Sequence, residues 1–175
     1  MATERLSPQH LSSLPEPQFV AALTGIFEHT DWVSQRAWKR RPFPTLQALE
    51  QALEAELHQA SPAEQQALIQ AHPELAGKAA IRGELTAEST DEQANAGLTA
   101  CTPEEYAHLQ ELNRAYRERF GHPFILAVRG LSRQDIIRNF ESRLDNSPDQ
   151  EFTEALRQIA RIAALRLRER LVEEA

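Results

Sequence analysis

Residues 102–130 read TPEEYAHLQELNRAYRERFGHPFILAVRG, and the change of character halfway along this stretch decides the fold. The first half is a helix with both ends marked. Thr102 precedes a proline at the first helical position, and Glu105 stands three residues on, the pattern of a capping box. Tyr106, Leu109, Leu112 (or Asn113), Tyr116 and Phe120 keep helical spacing until Gly121 stops the run. The second half, His122 to Val128, has no polar face and is bounded by Gly121 and Gly130. Over that length periodicity does not separate a buried extended segment from a short buried helix. A strand needs a partner, however, and no other part of the chain alternates with period two.

Outward from this stretch the pattern stays helical. Ser132 caps a helix carrying Ile136, Ile137, Phe140 and Leu144, closed by the turn Asp145-Asn146-Ser147-Pro148. A final helix runs from about Pro148 to Glu173, with Phe152, Leu156, Ile159, Ala163 and Leu167 on its apolar side. Upstream, Ser61-Pro62-Ala63-Glu64 is a helix start, and that helix carries Leu68 and Ile69 before it stops near His72-Pro73. Thr45 caps a helix with the stripe Leu46, Leu49, Leu53 and Leu57. Asp31 precedes a shorter one with Trp32, Val33 and Trp38. From Glu16, the residues Phe19, Leu23, Ile26 and Phe27 form one more apolar stripe. Residues 74–85 are partly helical, and 89–97 form a short helix ended by Gly97. The expectation is an all-α chain: one compact domain over residues 1–175, of about eight helices, with a polar lead over 1–12 and a short extended apolar segment near 123–129.

The composition narrows the function classes. The 175 residues suit one domain with a real core. With 19 Lys+Arg against 26 Asp+Glu, the formal charge of −7 speaks against nucleic acid or an anionic membrane as main partner. No stretch approaches the roughly 20 apolar residues of a membrane-crossing helix, and the polar N-terminus lacks a signal-like run. The single cysteine, Cys101, excludes an internal disulfide and reads as a small loop or core residue in a cytoplasmic protein. None of the six histidines pairs with another at i, i+3 or i+4, and neither HExxH nor CxxC occurs, so no metal is expected. The arginines of the last helix read as a solvated face rather than a docking surface.

The most chemistry per residue lies between His72 and Gln93. Pro73 disfavours helical geometry for His72, which places the imidazole at a helix end. Ser89, Glu92 and Gln93 are spaced i, i+3, i+4, so a hydroxyl, a carboxylate and an amide share one helix face. Opposite an imidazole, such a face suits a small polar heterocycle. The plainer alternative makes Ser89 or Thr90 an N-cap, with Glu92 and Gln93 as first-turn residues. Spacing does not choose between them. The apolar run 124–128 is equally open: if extended, its backbone groups need partners, from the protein or from a ligand.

Four segments together resemble a known family. They are His72-Pro73-Glu74-Leu75, Ser89-Thr90-Asp91-Glu92-Gln93, the run from Gly121 to Gly130, and Arg161-Ile162-Ala163-Ala164-Leu165-Arg166-Leu167. In this order and spacing they are similar to the 2-oxo-4-hydroxy-4-carboxy-5-ureidoimidazoline (OHCU) decarboxylases, from roughly Ser13 to Leu171. The resemblance implies the last step of urate oxidation, giving (S)-allantoin, by an all-helical homodimer that uses no cofactor. It implies His72 as the catalytic histidine, with Glu92 orienting or polarising. It implies substrate contacts by Pro73, by Ser89, Thr90, Asp91, Glu92 and Gln93, and by Phe124, Ile125, Leu126, Ala127 and Val128, the last group partly through backbone. An arginine near the end of the chain also lines the family's site; Arg161 is assigned here, with Arg166 as its neighbour. His122 departs from the family pattern and receives no catalytic role.

Overall fold

Caps divide this chain into helices more firmly than its hydrophobic stripes do. The structure, a computed structural model, describes residues 6–172. Residues 1–5 of the polar lead and the Glu173 end expected for the last helix lie outside the described residues. Ten α-helices are present: α1 (Pro8–Ser13), α2 (Glu16–Ala22), α3 (Trp32–Ala37), α4 (Leu46–Gln59), α5 (Pro62–Ala71), α6 (Lys78–Ile81), α7 (Ala87–Asn95), α8 (Pro103–Phe120), α9 (Arg133–Arg143) and α10 (Pro148–Arg170). A 3-10 turn at Trp38–Arg40 follows α3, and no strand occurs among the described residues. The chain is all-α, and the helices beyond the expected eight are the short α1 and α6.

At α4, α8 and α9 the expected start coincides with a cap. Thr102 and Glu105 close a reciprocal capping box on α8, at 3.1 and 3.0 Å, and Ser132 with Asp135 does the same on α9. Thr45 accepts from the Ala48 amide at the head of α4. One stripe reads differently in three dimensions. Phe19 lies in α2, but that helix stops at Ala22, and Leu23, Ile26 and Phe27 follow in turns. All three are buried nonetheless. Gly25, at φ +89°, supplies the left-handed residue that ends the helical path.

The described residues fall into two compact units, 6–65 with 160–172, and 66–159. In the first, Phe19 stacks on Phe43 with ring centroids 5.7 Å apart, and Leu11, Val33, Leu49, Leu53 and Leu57 are fully or nearly fully buried. The Trp38 indole N–H donates to the Leu14 carbonyl at 2.9 Å. The second unit is built on α8, whose Leu109, Leu112 and Tyr116 pack with Ile136 and Phe140 of α9 and with Phe124, Leu126 and Val128. Phe124 stacks on Phe140 at 3.8 Å, and Tyr116 meets both rings edge-on. Each such side chain taken from water contributes about 1.5–3 kcal/mol. This core carries residues 122–128, seven consecutive buried residues in neither helix nor strand.

Candidate functional site

His72 directly follows α5, where its amide still donates to the Ile69 carbonyl, and the residue is 7% exposed. Pro73 then turns the chain into the loop 74–77. Four polar side chains clamp this loop. From α8, Gln110 donates to the Ala76 carbonyl at 2.7 Å, Asn113 to the Leu75 carbonyl at 2.9 Å, and Arg117 pairs with Glu74 at 2.8 Å. Those three lie at i, i+3 and i+7, one face of one helix. From α7, the Gln93 amide grips both directions of the backbone, accepting from the Ala76 N–H at 3.0 Å and donating to the Glu74 carbonyl at 3.3 Å. Ala76 sits at φ +51° within this clamp. Gly77 closes it: a Cβ there would lie 2.8 Å from the Glu74 Cβ, too near for any other residue.

The cap of α7 is neither Ser89 nor Thr90. It is Thr86, whose hydroxyl accepts from the Ser89 amide, so the helix starts three residues earlier than the plain alternative has it. Ser89 and Gln93 are consequently buried side by side on the inner face, with Glu92 half-buried beside them. Thr90 and Asp91 take the exposed side, and the Thr90 hydroxyl donates to the Thr86 carbonyl. Beside the clamp, α6, α7 and the start of α8 line a half-open apolar pocket of about 480 Å³, formed by Ala76, Ala80, Ile81, Thr90, Gln93 and Tyr106 among others. His72 and Glu92 take no part in it.

Residues 124–128 join the same unit. Gln70, two residues before His72, donates to the Gly121 carbonyl at 2.6 Å and draws the end of α5 to the start of the run. Phe124, Leu126 and Val128 then enter the cluster that also holds Leu75 and Ala76. The alternation settles the choice left open above: the run is extended rather than helical. Two of its backbone groups are met by protein side chains. The Ile125 carbonyl accepts from Arg143 Nη1 at 2.5 Å, and the Ala127 N–H donates to Gln158 Oε1 at 3.0 Å. Arg143 is held in turn by Glu151, which also accepts from Tyr116 and Asn146. Burial by itself raises the Glu151 pKa, but the hydrogen bonds from Arg143, Tyr116 and Asn146 outweigh it and hold the carboxyl below the ordinary glutamate value. The Tyr116 phenol moves up, first through burial and then through its bond to that carboxylate.

The remaining sequence candidates are placed as follows. Arg161 is exposed on α10, in the unit formed by 6–65 and 160–172. Arg166, in the same unit, is buried and donates to the Glu28 carboxylate and the Gly25 carbonyl. His122 is buried, its Nδ1 3.0 Å from the Pro123 carbonyl and its ring edge-on to Tyr116, as a packed core residue. The Cys101 thiol donates to the Leu98 carbonyl, and burial raises its pKa away from the reactive range. The residues that sequence reasoning missed are the clamps: Gln70, Gln110, Arg117, Arg143 and Gln158. Two of them carried a signal. Arg143 continues the buried line Ile136–Phe140, and Gln158 falls on the line Glu151–Ala155–Gln158–Ile162, polar residues in core positions.

The family model for OHCU decarboxylase matches residues 12–168. The 2-oxo-4-hydroxy-4-carboxy-5-ureidoimidazoline decarboxylase of Halalkalicoccus jeotgali is 40% identical over 94% of this chain and 92% of its own length. That of Haloferax volcanii is 39% identical over 97% and 98%. The mouse protein of the same name is 37% identical over 90% and 88%. Among solved structures, an (S)-allantoin synthase superposes with a TM-score of 0.77 at 28% identity, covering 95% of this chain and 54% of that one. An OHCU decarboxylase crystallised in the presence of (S)-allantoin shares the fold, with a TM-score of 0.66 at 19% identity.

Proposed function

We infer the function of this chain from one premise: it belongs to the OHCU decarboxylase family. It decarboxylates 2-oxo-4-hydroxy-4-carboxy-5-ureidoimidazoline to (S)-allantoin, as a carboxy-lyase in urate degradation. The observation that carries this reading is the Gln93 clamp. By gripping Glu74 and Ala76, it ties α7, the helix that carries Ser89 and Glu92, to the turn that follows His72.

The chemistry suits these groups. The bond from the ring carbon to the carboxylate breaks, and its electron pair moves toward the adjacent ring C=N. The substrate is its own electron sink, which makes an external one unnecessary. The ring nitrogen that receives the pair takes up a proton, the hydroxyl on the carbon that lost CO2 gives up its own and becomes a carbonyl, and a proton is delivered to one face of the neighbouring carbon. What the protein supplies is alignment of the breaking bond and a single direction for that proton. Imidazole can both give and take a proton, and His72 serves as the general acid or base. Glu92 orients or polarises it, Ser89 anchors the ring or ureido group, and the apolar wall of 124–128 disfavours the localised carboxylate charge relative to the spread charge of the transition state.

The family match crosses both units, which supports treating the chain as one functional domain. We extend the same reading to a homodimer in the cytoplasm; light scattering on the purified protein should give twice the chain mass. Among the described residues no helix is long and apolar enough to cross a membrane.

The test generates the substrate in place from urate with the two upstream activities and follows the optical rotation of the allantoin formed. Spontaneous decay has no chiral director and gives a racemate. This chain should give one enantiomer fast. His72→Ala and Glu92→Ala should each lose about 10²- to 10⁴-fold, the usual share of a positioned acid or base, while keeping the parental circular dichroism. Full activity in either folded variant would falsify that residue's role.

A further inference from the structure

A buried segment without helix or sheet must find partners for its backbone one group at a time. Along 122–128 the protein does so on one edge. Arg143 takes the Ile125 carbonyl and Gln158 takes the Ala127 N–H, two residues apart. Phe124, Leu126 and Val128 send their side chains into one cluster, a period of two. The backbone groups of an extended chain alternate in the same way, so those of Ile125 and Ala127 share one edge and those of Leu126 lie on the other. Gln158 is itself oriented. Its Nε2 donates to Glu154 Oε1 at 2.8 Å, which turns its oxygen toward Ala127. Gln158 is buried, whereas Glu154 is partly exposed.

We propose that Gln158, with its amide set by Glu154, is a positioning residue for the decarboxylation: it fixes the rotation of the 125–127 backbone so that the Leu126 edge faces the substrate. Gln158 touches the wall of the site from behind. The inference rests on the decarboxylase reading above, in which this segment contacts substrate through its backbone. Arg143 anchors the same edge, but it is bound into the Glu151 network that the core needs. Gln158 is therefore the member that a variant can probe separately.

The deciding quantity is KM, because KM does not depend on what fraction of the protein is folded. Gln158→Ala should raise KM about tenfold and lower kcat/KM by about 10- to 100-fold, the scale of a small misplacement of a bound substrate. Gln158→Glu alone sets two carboxylates face to face and should also raise KM. Adding Glu154→Gln restores the pattern with the roles exchanged: the new amide donates, and the new carboxylate accepts from both it and Ala127. That double variant should return KM to within about threefold of the parent. If the alanine variant fails to fold, the Gln158→Glu single and double variants carry the test alone. An unchanged KM in folded Gln158→Ala, or a double variant no better than Gln158→Glu, overturns the positioning role. A racemate from the parent protein overturns the decarboxylase reading instead, so the two failures are distinguishable.

Discussion

Arg161 and Arg166 stand close together on α10 yet meet different environments, and that difference lets variants at the two positions be told apart. Arg166 is 5% exposed, and its guanidinium spans the Gly25 carbonyl at 3.0 Å and the Glu28 carboxylate at 2.9 Å. Glu28 is 1% exposed. Removing the arginine leaves a buried carboxylate without its ion pair, so Arg166→Ala should cost about 3–5 kcal/mol of stability, and activity should fall with the folded fraction. Arg161 is exposed, and a surface truncation of this kind changes stability by about 0.5 kcal/mol or less. Arg161→Ala should therefore keep the parental denaturation midpoint, and any loss in its turnover reports on the substrate alone. A folded Arg161→Ala enzyme with parental kcat/KM would remove Arg161 from the site and leave Arg166 as the arginine to pursue.

At the scale of the element, α7 shows how a nine-residue helix holds the candidate residues Ser89 and Gln93 buried. A helix this short is marginal by itself, so its cap and its packing must hold it. Thr86 supplies the cap by accepting from the Ser89 amide, which ties the first turn to the residue that presents the buried hydroxyl. Thr86→Ala should cost about 0.5–2 kcal/mol and speed hydrogen exchange of the first-turn amides, with those behind the Gln93 clamp less affected. Equal protection of the first turn in parent and variant would sink that account. Much of this level is legible in the sequence. Thr45, Ser61, Thr102 and Ser132 are each followed by the residues a cap needs, and the structure has helices at all four. Thr86 was obscured because three hydroxyl residues, at 86, 89 and 90, compete within one turn. The apolar run 122–128 was equally visible as a feature, but its supports were not. Arg143 and Gln158 reach it across long stretches of chain, and a local period carries no information about which distant side chain meets a given carbonyl.

At the scale of the whole molecule, the network of Tyr116, Arg143, Asn146 and Glu151 ties stability to pH from both the acid and the alkaline side. Glu151 is fully buried with its pKa held below the ordinary value, because the bonds from Arg143, Tyr116 and Asn146 exceed the penalty of burial. A carboxyl with a depressed folded pKa stabilises the protein above its unfolded value, about 4.3 for glutamate, and that contribution is lost as pH falls through the folded value. Tyr116 works from the other side. Its folded pKa is raised, by burial first, so its contribution is complete below the unfolded value of about 10 and is lost as pH rises beyond it. Urea unfolding followed across pH should thus show a plateau bounded by an acid limb and an alkaline limb. Glu151→Gln separates the causes. At neutral pH it leaves the Arg143 charge buried without its counter-charge, and stability should fall by about 3–5 kcal/mol. In acid the variant has no carboxyl at this position to protonate, so its curve should approach the parent's as pH drops below about 4. If the two curves instead run parallel through the acid range, Glu151 is not the titrating group. The acid limb would then belong to surface carboxylates such as Glu64, which the Arg36 hydrogen bond holds at about 2.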